Sequence, residues 1–150
     1  MGFSGRIIVA RTGGPYKAGA VPVVWEEDRG DGWWWIQLDG DEPGALAGLV
    51  AETGLPALWA YVLDSDVADV EGLTPAGRRW RTYLHAEVAE QFGAPPLEQS
   101  PGEVLAAALE WAAQAGLTAD PAAISEALGA HNVEAEETLG ALVTALGVKA

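Results

Sequence analysis

Four carboxylates stand close together in the chain, Asp64, Asp66, Asp69 and Glu71, and three guanidinium groups follow them at Arg78, Arg79 and Arg81. Acids two or three residues apart can hold a divalent cation or divide acid and base work on one substrate. Clustered arginines can grip a phosphate or carboxylate through their planar fork. The two groups would also neutralise each other if residues 67–71 and 79–83 were neighbouring strands, because opposite charges across a ladder attract. That pairing accounts for both clusters without a ligand and is the more economical reading. Imidazole chemistry is confined to His85 and His131. His85 beside Asp64 or Asp66 would make a base and its orienter if the strands bring them together. Helix capping or a surface role is the simpler account of a histidine at a strand-to-helix junction. The two histidines are too differently placed in the chain to read as a spaced metal motif. There is no cysteine, hence no thiolate nucleophile or ligand and no disulfide framework. None of Ser4, Ser65, Ser100 and Ser125 lies in a Gly-x-Ser-x-Gly elbow. The expectation is therefore no catalytic residue, no metal and no cofactor. The binding candidates are Trp25, Trp33, Trp35, Asp64, Asp66, Arg79, Arg81 and His85.

The element that must position most of these is residues 57–63, Ala-Leu-Trp-Ala-Tyr-Val-Leu, apolar on both alternating faces and so expected as an interior strand. It ends abruptly in Asp64-Ser65-Asp66, which places two carboxylates at the carboxyl end of a buried strand, a frequent position for ligands in open sheets with helices. The competing and preferred reading is a tight turn or bulge in which Asp64 and Asp66 bond local backbone amides. Strand-end Asp64-x-Asp66 is also similar to the opening motif of haloacid-dehalogenase-like phosphohydrolases. That resemblance implies Asp64 as nucleophile toward phosphorus and Asp66 as acid and base beside Mg²⁺. The family's later lysine and acidic pair have no counterpart, since Lys149 lies next to the last residue. An EF-hand spacing is not continued either, because no glycine follows at the sixth position.

Around this strand the chain alternates short apolar runs with turn residues. Residues 6–11 read as a first strand, followed by a loop over 12–19. That loop holds Gly13, Gly14 and Lys17 but lacks the Gly-Lys-Ser/Thr element of a phosphate cradle. Residues 21–27 and 33–39 flank a five-residue connection at 28–32 and should form a hairpin with Glu27 opposite Trp33 and Trp25 opposite Trp35. Val24, Trp34, Ile36 and Leu38 then make the core face. Trp25, Trp33 and Trp35 form an aromatic cluster on the other face, to be covered by the carboxyl-terminal helices or offered to a partner. Cover is the preferred reading. A short helix starts from a cap at Asp41-Glu42-Pro43 and stops at Gly54. Further strands at 67–71 and 78–85, a turn at 72–77 and a helix at 86–92 complete an α+β arrangement: a mostly antiparallel sheet with two short helices.

Composition changes near residue 95. We expect an α+β sheet domain over 1–94, a linker over 95–100 and a three-helix unit over 101–150. Ser100-Pro101-Gly102-Glu103 is a capping box with proline in the first turn. Asp120-Pro121 opens a second helix and Asn132 caps a third, whose stripe is Leu139, Leu142, Val143 and Leu146. Pro121, Ile124, Leu128 and Gly129, a short turn, and then residues 133–146 resemble the helical core of a winged helix-turn-helix domain. The resemblance implies DNA reading by the last helix. That helix opens instead with Glu134, Glu136 and Glu137, where base edges and phosphates require Arg, Lys, Asn or Gln. No wing hairpin is expected before Ala150. Residues 100–150 hold seven acids and one base, a net of −6, so this unit reads as structural or protein-binding.

The whole chain has 150 residues, enough to bury roughly 70% of its unfolded surface. Eight basic against 22 acidic residues leave a net charge of −14, which excludes ordinary binding to nucleic acid or anionic membrane. A hydrophobic fraction of 49% argues against disorder. No signal-like core occupies the first 25 residues and no apolar run is long enough to span a bilayer, so a cytoplasmic address is expected. The function these features favour is a non-catalytic acidic protein-interaction module, of the immunity, inhibitor or regulatory-adaptor kind, with a basic protein as partner. A homo-oligomer is compatible with the same features. One alternative is a metal-assisted hydrolase or small-ligand-binding protein centred on Asp64 and Asp66. The other is a relative of transcription regulators that no longer binds DNA.

Overall fold

A computed structural model describes residues 2–14, 16 and 21–149. Lys17 of the glycine-containing loop lies outside the described residues. The strands are β1 (Gly5–Ala10), β2 (Val23–Gly30), β3 (Trp33–Leu38), β4 (Ala57–Leu63), β5 (Val67–Leu73) and β6 (Arg79–Leu84). The helices are α1 (Ala45–Thr53), α2 (Ala86–Gln91), α3 (Pro101–Gln114), α4 (Pro121–Gly129) and α5 (Ala135–Ala145). All six strands join one antiparallel sheet in the order β2-β3-β1-β4-β5-β6, so the fold is α+β with carboxyl-terminal helices.

β4 lies inside the sheet between β1 and β5, as its two apolar faces require. Its residues Leu58, Ala60 and Val62 join Ile7, Val9, Trp33, Trp35, Val70, Trp80 and Leu84 in one apolar layer that α3, α4 and α5 close. Trp111 of α3 is wholly buried there, its ring 5.9 Å from that of Trp33 and its indole N–H donating to the Ala57 carbonyl at 2.9 Å. Burying an indole leaves its donor needing an acceptor, and the first carbonyl of β4 supplies it. The opposite face is covered in part by α1, whose Leu46, Leu49 and Val50 pack on Ile8, Ala10, Ile36, Leu38, Ala57 and Leu73.

Several local expectations are corrected. The hairpin between β2 and β3 turns on two residues, Asp31 (φ 56°) and Gly32 (φ 86°), not five. Both adopt left-handed backbone, and Asp-Gly suits a type I′ turn because its twist matches that of the strands. Two bulges in β2 then shift the ladder: Glu27 faces Trp35, not Trp33, and Trp25 faces Gln37, not Trp35. α1 has Gly44 at its amino end with no side-chain cap, and Asp41 instead binds Arg6 at 2.8 Å. α5 is preceded by Glu134, while Asn132 accepts the Thr138 hydroxyl at 2.8 Å. The capping box of α3 and the Asp120 cap of α4 form as expected.

Candidate functional site

Asp64 and Asp66 lie in the turn between β4 and β5. Asp64 (φ 51°) and Ser65 (φ 55°) are both left-handed, and the Asp66 amide donates back to the Leu63 carbonyl at 2.9 Å. Left-handed backbone costs an ordinary residue about 1 kcal/mol or more, and Asp tolerates it better than most. The turn is held on both sides. Asp64 Oδ1 accepts from the Gly2 amide at 2.9 Å, and the Ser65 hydroxyl accepts from the Phe3 amide at 2.8 Å. That hydroxyl also donates to Glu136 of α5 at 2.8 Å, and the Ser65 carbonyl accepts the Ala135 amide at 2.7 Å. Oδ1 of Asp64 thus fastens the amino-terminal segment, a partner 62 residues away and not a local amide. Among the described residues no group of three or more His, Asp or Glu side chains is placed to hold a metal ion.

His85 neither caps α2 through its side chain nor lies on the surface. It is left-handed (φ 60°), 2% exposed and wedged between the turn and α5. Its Nδ1–H donates to the Asp66 backbone carbonyl at 2.8 Å, and Nε2 meets the Thr138 hydroxyl at 2.7 Å. His85 therefore meets the main chain of Asp66 and not its carboxylate, so no base-and-orienter pair forms. The two histidines do come together. Their rings stack 3.9 Å apart at 8°, and His131 Nδ1 pairs with Glu87. The Glu87 carboxyl is held below its ordinary range by a hydrogen bond from its own backbone amide and then by His131. This stack went unread in the sequence because its members belong to different elements, and only the packing of α4 and α5 on β6 brings the turn between them to the start of α2.

The charged clusters form cross-strand pairs. Arg81 makes a two-pronged contact with Asp69 at 2.9 and 2.6 Å, and Arg79 reaches Glu71 at 2.9 Å. Asp69 raises the Arg81 guanidinium further above its already high range. Beside them Arg6 lies over the Trp59 ring at 3.7 Å, and the Trp59 indole donates to Glu71 at 3.1 Å. Such half-exposed pairs contribute about 0–1 kcal/mol each. They nevertheless occupy the arginines that a phosphate or carboxylate would need.

The three tryptophans separate. Trp33 and Trp35, 2% and 4% exposed, lie beneath the carboxyl-terminal helices and are closed to a partner, which corrects their place among the binding candidates. Trp25 stays 55% exposed on β2, next to Val24 at 53% and Val23 at 37%. The reason is topological: β3 is flanked on both sides and lies under α3, whereas β2 is the end strand beyond the reach of the helices.

Among the described residues β2 is thus an open sheet edge, with apolar residues at one end and Glu26, Glu27 and Asp28 at the other. Glu27 pairs with Arg29 at 2.6 Å; among the described residues Glu26 and Asp28 have no ion-pair partner. Because Glu26 faces Ile36 and Asp28 faces Trp34, both acids project to the α1 side of the sheet, two positions apart. The other end strand, β6, is closed. The Gln99 side chain accepts from the Arg81 amide at 2.9 Å and donates to the Arg79 carbonyl at 3.3 Å, acting as a short extra strand. Tyr83 adds a bond to the Pro95 carbonyl at 2.8 Å. No family model, curated protein or solved structure matches this chain.

Proposed function

We propose that this chain is a non-catalytic, acidic protein-interaction module of the immunity, inhibitor or adaptor kind, working in the cytoplasm on a basic protein. The observation that supports the reading is the coincidence of exposed apolar surface and unpaired acid on one strand. Val23, Val24 and Trp25 stand out together, and Glu26 and Asp28 come directly after them. Monomers seldom leave adjacent large apolar residues bare without a use for them, and tryptophan is among the residues that most often anchor a protein interface. The net charge of −14 favours a partner of opposite sign and speeds its arrival. The deciding measurement is quantitative capture by the immobilised protein from a lysate of its source cells, beside a Val24→Ser/Trp25→Ser variant of unchanged thermal midpoint. One saturable partner should be retained by the first and lost from the second. Equal recovery by both would remove β2 from the account, and no partner at all would remove the function.

A further inference from the structure

Resting on the reading just given, we infer that β2 binds by strand addition, taking as its occupant an extended segment of a partner protein that carries lysine or arginine at alternate positions. β2 runs for eight residues at the end of the sheet with no strand beyond it among the described residues, so the backbone groups on its outer side are a template for another strand. The other end of the sheet shows what a closed edge requires, since Gln99 fills it with one donor and one acceptor.

The ladder dictates the chemistry of the occupant. On the α1 side β2 presents Val23, then Glu26 and Asp28; on the helix side it presents Trp25, then the Glu27–Arg29 pair, with the Arg29 guanidinium 4.7 Å from the Trp35 ring. Antiparallel pairing is the more stable kind. It would place two basic residues, spaced i and i+2, against Asp28 and Glu26, and β-branched residues after them against the Val23 to Trp25 end. A second copy of this chain is the wrong occupant. A two-fold pairing centred on Glu26 or on Glu27 sets that carboxylate directly against its own copy, and like charges directly opposite destabilise a ladder. The acids that repel a copy attract a basic strand, so the same residues keep the edge from self-association and select its partner.

The test uses the full chain and a blocked heptapeptide, Lys-Thr-Lys-Thr-Val-Thr-Val. Companion peptides carry Glu for Lys, or N-methyl groups on one or the other alternate set of amides. Calorimetry should find one peptide per chain, with amide exchange of β2 slowed. One N-methyl set, but not the other, should weaken binding by about tenfold or more, because alternate amides face one edge. The glutamate peptide should bind weakly or not at all. Equal binding of both N-methyl peptides with no protection of β2 would overturn strand addition while leaving the interaction module standing. Equal binding of the glutamate peptide would overturn the basic occupant. No binding of the lysine peptide at millimolar concentration would overturn the inference, whereas lysate capture judges the module separately. A dimer in sedimentation that Val24→Ser/Trp25→Ser dissolves would assign the edge to a second copy instead.

Discussion

The two ends of the sheet are built from similar strands and finished differently. β6 alternates Trp80, Thr82 and Leu84 on the helix side with Arg79, Arg81 and the buried Tyr83 on the opposite face, and its free backbone is met by Gln99. β2 carries an exposed tryptophan, two bulges and three acids, and among the described residues no strand pairs with its outer side. The difference lies in the connection that leaves each strand. After β6 and α2, residues 95–100 return along the edge before α3 begins at the Ser100 cap, so the connection itself closes the sheet. β2 turns straight back into β3 through Asp31-Gly32, and no connection passes its outer side among the described residues. Bulges and charges are common guards of an open edge against aggregation. Here Arg29 pairs with Glu27 and leaves Glu26 and Asp28 as a net negative guard, which makes it selective.

The sharpest way to break this comparison is to remove the tryptophan from each end strand. Trp80, 1% exposed, should cost about 3–5 kcal/mol on truncation to alanine, as buried aromatics do. Trp25→Ala, at 55% exposure, should change urea stability by less than about 0.5 kcal/mol. Similar losses at the two sites would mean that β2 is covered after all. A smaller effect is expected from Gly72→Ala in β5. A side-chain carbon there would collide with the indole of Trp80, and the overpacking should cost about 1–3 kcal/mol. No loss would show that Trp80 is not pressed against its neighbour strand.

Unsealing β6 sharpens the contrast more gently. Gln99→Ala should lower stability by about 0.5–1.5 kcal/mol and speed exchange of the Arg81 amide, since two edge bonds are lost. Unchanged exchange at Arg81 would remove Gln99 as the closing element. The smallest effect concerns pH. The Glu103 carboxyl, in the capping box just after Gln99, is held below its ordinary value by the Ser100 backbone amide first and then the Ser100 side chain. A carboxyl lowered by folding stabilises the fold above its unfolded pKa and loses that contribution as pH falls through the folded one. The stability gap between Glu103→Gln and the native protein should therefore be widest near neutrality and close in acid. A gap that persists unchanged in acid would show that the ionised carboxylate is not what holds the linker.

Much of the layout was legible because it is written in local signals. Period-two runs marked the strands, Ser100 to Glu103 and Asp120-Pro121 marked helix starts, and the two apolar faces of residues 57–63 required an interior strand. The pairing of Asp69 and Glu71 with Arg81 and Arg79 was legible for the same reason, since a short hairpin joins them. The site was far less so. The Asp64-Ser65 turn carries no glycine to announce its positive φ, and a bulge, which a regular alternation hides, displaced the register of the Trp hairpin. Composition and alternation thus determined an acidic antiparallel α+β protein by themselves, because charge and side-chain period are properties of neighbouring residues. Which tryptophan was buried, which histidines met and which sheet edge stayed open were decided only when helices and linker docked. Cover depends on elements far away in the chain, and no local pattern encodes where they come to rest.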